Sequence, residues 1–318
     1  MRSPSHQGRG WPRVSANGKL SWAPAQVPPM DIDLARAVAR AFYAQEPVVE
    51  PLAGTTYPVF RLQLTDGTRF VKFADRQRIT TEAAVLKRVA QDRIPVPAVE
   101  HADPDGAIVG RPFLITRSAG ERTLLSCMMA RDPAVPALFE EAGSILARIH
   151  AIQIPTDDRP GGVNPRDPFA VLGRLRAAGE QVVAAGLLTL VEVRAFLVLP
   201  MPDLSGEHLC HGDFHAVQCI ERDGRVAAIV DWEGAWVGNS AVDLAVAHAY
   251  FDLYAPIDLT RRFLAGYATI GKVPSDDDKT SIMVRMAHTL ALANLWHERG
   301  QFGNARRAAD LFREYARP

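Results

Sequence analysis

His211-Gly212-Asp213-Phe214-His215-Ala216-Val217-Gln218, with Asp231-Trp232-Glu233 beginning thirteen residues after Gln218, is the stretch on which the fold turns. Leu209-Cys210-His211 reads as a short strand, and Gly212 frees the following loop for backbone geometry that other residues resist. Asp213 sits on that loop. Gln218 lies at the start of a hairpin whose strands, Val217–Glu221 and Val226–Asp231, are joined by an Asp223-Gly224 turn. The hairpin folds Asp231 back toward Gln218 and Asp213. Two carboxylates and an amide carbonyl converging on one spot suit a hard, oxygen-preferring cation such as Mg²⁺. With a phosphate donor, one carboxylate can orient an attacking hydroxyl while the other holds the metal. A zinc reading of His208, Cys210, His211, Asp213, His215 and Cys219 lacks the paired C-x₂-C and H-x₃-H spacings, and strand alternation splays these side chains to opposite faces. His211 is expected as a packed loop anchor and His215 as a surface loop residue, with an approach to phosphate or substrate as the alternative.

Upstream of this stretch the pattern is β. Val59–Leu64 alternates, Asp66-Gly67 supplies a turn, and Arg69-Phe70-Val71-Lys72-Phe73 alternates again. A helix capped by Thr80 or Thr81 is expected through Gln91, where Glu82 falls in a first turn favourable to a carboxylate. Two further strands are expected at Ala98–His101 and Pro112–Thr116. A helix over Asp31–Ala44 precedes the strands, and residues 1–29 read as a flexible extension or an arm anchored by Trp11 and Trp22. After Gly120 helical periodicity dominates, at Leu138–Ile152, Phe169–Ala185, Leu190–Leu199, Ala241–Tyr254, Leu259–Ile270, Ser281–Glu298 and Ala305–Ala316. Asp276-Asp277-Asp278 reads as a solvated helix start, and Trp232, Trp236 and Trp296 as core or cleft wall. The expected fold class is α+β: a small β-rich N-lobe over residues 30–118 and a larger helical C-lobe over 119–318.

Composition removes other classes. With 36 Lys+Arg against 36 Asp+Glu the chain has no net basic field, so binding to a nucleic-acid backbone is not expected. No segment reaches the roughly 18 uninterrupted apolar residues of a membrane span. Three cysteines, Cys127, Cys210 and Cys219, give an odd count without C-x-x-C, which points to a reducing, cytoplasmic setting. The first thirty residues show no apolar signal-peptide core. Lysines are scarce: Lys72 is one of five in the chain. The charges also divide, with 16 basic and 11 acidic residues in 1–118 and 20 and 25 in 119–318.

HGDFHAVQ together with IVDWEGAWVGNSAVDLA resembles the signature of the aminoglycoside phosphotransferase/choline kinase-like family, which carries H-G-D-x-x-x-x-N, then [I/V]-[I/V]-D-[W/F]-E, then D-L-A. Gly54-Thr55-Thr56-Tyr57-Pro58-Val59-Phe60-Arg61-Leu62 resembles that family's nucleotide loop. Pro112–Gly120 resembles its hinge, and Leu146–Ala151 the helix ending before its catalytic region. The resemblance covers residues 48–255 in order. It implies a two-lobed protein-kinase-like fold and transfer of phosphate from ATP (GTP possible), with Mg²⁺, to a hydroxyl of a small molecule, first an aminoglycoside or similar antibiotic. A sugar, amino sugar or other metabolite as acceptor, or a non-catalytic nucleotide-binding protein, stays open. Carried over by position, Asp213 is the catalytic aspartate, and Gln218 and Asp231 ligate the metal. Lys72 contacts the α/β-phosphates and pairs with Glu82; Gly54, Thr55 and Thr56 cover the triphosphate; the backbone around Thr116 and Ser118 receives the adenine edge. Asp243 buttresses the catalytic loop. Gln218 departs from the family's Asn, retaining the carbonyl one methylene further out. A monomer or homodimer is expected.

Overall fold

The computed structural model describes residues 32–52, 57–275 and 277–317, together with the backbone of Pro12–Val14 (β1) and Leu20–Trp22 (β2), which pair antiparallel. The rest of 1–29, the Gly54-Thr55-Thr56 loop and Asp276 lie outside the described residues.

Helix α1 (Ile32–Phe42) precedes β3 (Val48–Pro51), β4 (Val59–Leu64) and β5 (Gly67–Phe73); α2 (Arg76–Gln91) then leads to β6 (Val99–Asp103) and β7 (Phe113–Arg117). The five strands form one antiparallel sheet in the order β3-β4-β5-β7-β6. Strand alternation decides what each face does. Phe60 and Leu62 of β4, Val71 and Phe73 of β5, and Phe113 and Ile115 of β7 pack beneath Ala35, Val38 and Ala39 of α1. Each such buried side chain stabilises by roughly 1.5–3 kcal/mol. The opposite registers, Val59, Phe70, Lys72, Leu114 and Thr116, face an open cleft.

Helix α2 begins one turn earlier than its threonines suggest. Asp75 Oδ1 accepts the Arg78 N–H at 3.0 Å and caps the helix, while Thr80 Oγ1 bonds back to the Arg76 carbonyl within it. Glu82 is therefore a buried mid-helix residue, and the first-turn dipole explanation for it does not hold. The hairpin turn between β4 and β5 falls on Thr65-Asp66, with Gly67, φ +123°, opening β5.

The remainder is mostly helical: α3 (Leu124–Met129), α4 (Val135–His150), α5 (Pro168–Ala184), α6 (Leu190–Leu197), α7 (Ser240–Tyr254), α8 (Ile257–Ala268), α9 (Lys279–Glu298) and α10 (Phe302–Tyr315). Small strands are set among them: β8 (Arg122–Thr123), β9 (His208–Cys210), β10 (Cys219–Arg222), β11 (Arg225–Ile229) and β12 (Trp236–Gly238). They pair as β11-β10-β8 and as β12-β9. The expected α9 start is extended by two residues because Asp278 accepts the Ser281 N–H at 2.7 Å. Helices α4 and α8 cross backbone to backbone: a methyl group at Gly143 would overlap the Phe263 carbonyl, and one at Gly266 the Glu140 carbonyl. Trp232, Trp236 and Trp296 are all buried. Among the described residues no helix is long and apolar enough to cross a membrane.

Candidate active site

The Asp213 loop is held from below. Asp243, in the first turn of α7, is 1% exposed and spends both carboxylate oxygens on it. Oδ2 accepts the His211 N–H at 2.7 Å and Oδ1 the Gly212 N–H at 2.8 Å. His150, at the end of α4, places Nε2 3.0 Å from Asp243 Oδ2 and Nδ1 2.7 Å from the Tyr267 hydroxyl of α8. Burial pushes the Asp243 carboxyl up, but the His150 contact and the loop N–H bonds hold it below the ordinary range. Gly212 has φ +83° and meets the Gly234 carbonyl so closely that no side chain fits. His211 is fully buried, its Nε2 3.1 Å from the Val230 carbonyl, and burial lowers its proton affinity. It is the loop anchor its sequence context suggested.

On this loop Asp213 accepts the Tyr250 hydroxyl at 2.6 Å and lies 3.6 Å from His215 Nε2. Desolvation works against its charge, yet His215 and Tyr250 keep its carboxyl below the usual range. His215 is not a surface residue: it is 1% exposed, its ring packs tilted against Tyr250 at 4.6 Å and it is in contact with Gln218 Nε2 at 3.3 Å. Residues 215–218 form a turn closed by the Gln218 N–H on the His215 carbonyl at 2.9 Å, which turns His215 inward and leaves Gln218 just before β10.

Gln218 Nε2 donates to Asp231 Oδ2 at 3.1 Å. Asp231 follows β11 in the left-handed conformation, φ 70° and ψ 55°, ahead of a short helical turn at Trp232–Gly234. That twist turns it toward the sheet of the other lobe. Lys72 on β5 meets it there: Nζ lies 2.5 Å from Asp231 Oδ1, 2.8 Å from Glu82 Oε2 and 2.6 Å from Glu233 Oε2. Burial opposes the lysine's charge, and the three carboxylates outweigh it, raising its proton affinity well above the ordinary value. Burial likewise resists ionisation of Asp231, but Lys72 holds its carboxyl low. Arg78 of α2 adds a second cation, 3.2 Å from Glu233 Oε1 and 4.9 Å from the Tyr57 ring.

Lys72, Glu82, Thr116, Asp213, Gln218 and Asp231 all line one cleft between the sheet and the helical region. Gly54, Thr55 and Thr56 lie outside the described residues. Ser118 is turned away, its hydroxyl on the Gly120 carbonyl at 3.0 Å and its N–H on the Thr68 carbonyl at 3.0 Å. The Arg117 N–H is likewise spent on the Ala98 carbonyl, so the N–H donors at 117 and 118 are already engaged. Ala119 and Gly120 line the cleft instead. The six residues of the zinc reading do not gather; among the described residues the clusters with metal-ligand proximity are His150-Cys210-Asp243 and Glu82-Asp231-Glu233. Sequence reasoning gave no role to Glu233, Tyr250 or Arg78. The D-W-E triplet contained the signal for Glu233; nothing local marks Tyr250 or Arg78.

A strand-borne lysine paired with a helix glutamate, facing an aspartate loop and a second aspartate across a cleft between two lobes, defines a kinase-type phosphotransferase. The chain belongs to the phosphotransferase enzyme family, whose sequence model matches residues 47–279. Solved structures share the fold. The GDP complex of aminoglycoside 2'-phosphotransferase-IIIa superposes with a TM-score of 0.65 at 14% identity, covering 90% of this chain and 98% of that one. An amicoumacin kinase in complex with AMP-PNP and Ca²⁺ gives 0.65 at 15% identity over 90% and 94%. Acyl-CoA dehydrogenase family member 10 of Mus musculus is 24% identical over 257 residues, 69% of this chain. The chain spans about a quarter of that relative's length, 23%.

Proposed function

We propose that the chain transfers the γ-phosphoryl group of ATP, with GTP as the alternative donor, to a hydroxyl of a small molecule in a Mg²⁺-dependent reaction. The observation that carries this reading is Lys72 reaching across the cleft to Asp231 at 2.5 Å, with Asp213 and Gln218 lining the same cleft. Lys72, set in position by Glu82, neutralises the α/β-phosphates. The apolar walls, Val59 and Leu114 above and Ile220 and Val230 below, take the base, and the chain at Thr116–Gly120 meets its edge.

The donor set around Asp231 fits a hard cation. Lys72 takes one oxygen each of Glu82, Asp231 and Glu233, which leaves Asp231 Oδ2 and, because Gln218 donates its Nε2 to it, the Gln218 carbonyl oxygen as hard oxygen donors on the cleft side. Asp231 and Gln218 would hold Mg²⁺, which when bound supplies charge neutralisation of the phosphate oxygens. Asp213 orients the acceptor hydroxyl and takes its proton, with the Tyr250 hydroxyl fixing the carboxylate's rotation. Catalysis then rests on positioning and preorganised charge. An aminoglycoside or similar antibiotic is the acceptor that the family resemblance suggests; a sugar, amino sugar or other metabolite fits the same machinery.

The test is ATP consumption across hydroxyl compounds with product mass as the readout. Wild type adds one phosphate to at least one compound. Asp213→Asn lowers transfer by about 10²–10⁴-fold while MgATP still binds. A wild-type chain that binds MgATP but transfers to nothing is a non-catalytic nucleotide binder, and the proposal fails.

A further inference from the structure

We propose that the acceptor carries an anionic group, a carboxylate or a phosphate monoester, seated by Arg166 beside Asp213; this rests on the reading of Asp213 as the residue that engages the acceptor. Arg166 lies just before α5 and brings its guanidinium to the Asp213 loop. Nη2 is 3.4 Å from the Gly212 carbonyl, and Cζ stands 4.7 Å over the Trp236 ring. Among the described residues Arg166 has no carboxylate at ion-pair distance, and a long contact to one carbonyl uses little of a five-donor fork. Burial makes its charge costly, and nearby Arg174 of α5 adds repulsion. A half-buried, stacked guanidinium with unspent donors is a ready partner for a planar anion or a phosphate.

His288 of α9 reaches the same corner. Its ring packs at 4.4 Å on Tyr250, whose hydroxyl holds Asp213, and its buried Nε2 has no hydrogen-bond partner among the described residues. Asp213 is close enough to act electrostatically on both His288 and Arg166. Neither residue lines the cleft that contains Lys72, so both are available to a different ligand from the nucleotide. The carboxylates that act most strongly on Arg166 are Asp243 and then Asp213 itself. Both Asp243 oxygens are already committed to His211, Gly212 and His150. A polycationic acceptor at Asp213 would meet the like charges of Arg166 and Arg174. An acceptor with one anionic group satisfies Arg166 and leaves its hydroxyl at Asp213.

The experiment compares MgATP-dependent transfer to glycerate and glycerol 3-phosphate, to uncharged glycerol and to polycationic kanamycin, followed by product mass. One of the two anions is expected to show kcat/KM at least tenfold above glycerol and kanamycin, and which one distinguishes a carboxylate from a phosphate. Arg166→Met should raise the KM for that anion by about 10–100-fold, as loss of a hydrogen bond to a charged group does, and leave the MgATP Kd within twofold. Arg166→Lys should restore part of the loss. Preference for kanamycin, absence of transfer to either anion, or an unchanged KM in Arg166→Met overturns the proposal. If kanamycin is phosphorylated and Asp213→Asn abolishes that transfer, the phosphotransferase reading stands and the anionic acceptor alone falls.

Discussion

Replacing Asp243 by Asn separates support of the Asp213 loop from chemistry on it. The carboxylate accepts three hydrogen bonds, from His211 N, Gly212 N and His150 Nε2. An amide of the same shape has one acceptor oxygen and one donor nitrogen. With the oxygen toward His211, the new NH₂ faces the Gly212 N–H; flipped, it faces that of His211. His150 can adapt by exchanging tautomers with Tyr267 as partner, but a backbone N–H cannot. One buried donor is therefore left facing another donor in either orientation, and an unsatisfied buried group costs about 1–3 kcal/mol. Loss of the charge-assisted character of the remaining bonds brings the total to roughly 2–4 kcal/mol. At about 2–4 °C per kcal/mol for a unit of some 200 residues, thermal unfolding should move down by roughly 4–16 °C. The matched control is Asp213→Asn, where the Tyr250 hydroxyl keeps an acceptor and the shift should stay under about 1 kcal/mol. The acid limb carries a second signature. The Asp243 carboxyl is held below its ordinary range, so its contribution is present above the unfolded carboxylate pKa and lost as pH falls through the depressed folded one. Asp243→Asn should flatten that limb. Calorimetry of both variants from pH 7 to pH 3 decides the matter; equal Tm values for Asp243→Asn and wild type would refute the buttress.

Lys72→Met should weaken MgATP binding at least tenfold by titration calorimetry. It also leaves Glu82, Asp231 and Glu233 without their shared cation. Burial already holds the Glu82 and Glu233 carboxyls above the ordinary range, and without Lys72 nothing offsets burial at Asp231, so the variant should gain more stability than wild type as pH falls from 8 toward 5.5, and an equal pH dependence of Tm in the two proteins contradicts the assignment. In the sheet, Glu100 accepts from the Tyr43 hydroxyl, Arg69 Nε and Arg117 Nε. Burial opposes its charge, yet these bonds lower its pKa to about 2. Its contribution is thus present above the unfolded value of about 4.3 and lost as pH falls toward 2. Glu100→Gln should cost roughly 2 kcal/mol at pH 7 and little at pH 2, measured by urea unfolding at both.

The parts of the fold legible in the sequence are those written in local periodicity. Alternation in Val59–Leu64 and Arg69–Phe73 placed Lys72 on the face opposite the N-lobe core, and the H-G-D and D-W-E spacings implied the loop and hairpin that join Asp213 to Asp231. Local chemistry failed where tertiary contacts outvote it. Thr80 and Thr81 resemble caps, but Asp75 is the better placed acceptor. His215 resembles a polar loop residue, but the turn at 215–218 buries it against Tyr250. Asp231, expected to end its strand, lies beyond β11 in a left-handed conformation that no preference of Asp alone dictates. Arg78, Tyr250, Arg166 and His288 come from four separate segments, and only the assembled chain shows which of them meet.

The crossing of α4 and α8 has a mechanical consequence. Where Gly143 and Gly266 let two backbones touch, no side chain lies between them that could change rotamer and absorb a displacement. The two helices are keyed together like splined shafts. Their C-terminal ends present His150 and Tyr267, the pair that steadies Asp243 beneath the Asp213 loop. A push on either helix is thus transmitted to that loop undamped, and the slack needed to admit and release ligands must come from the other wall of the cleft, the β-sheet that carries Lys72.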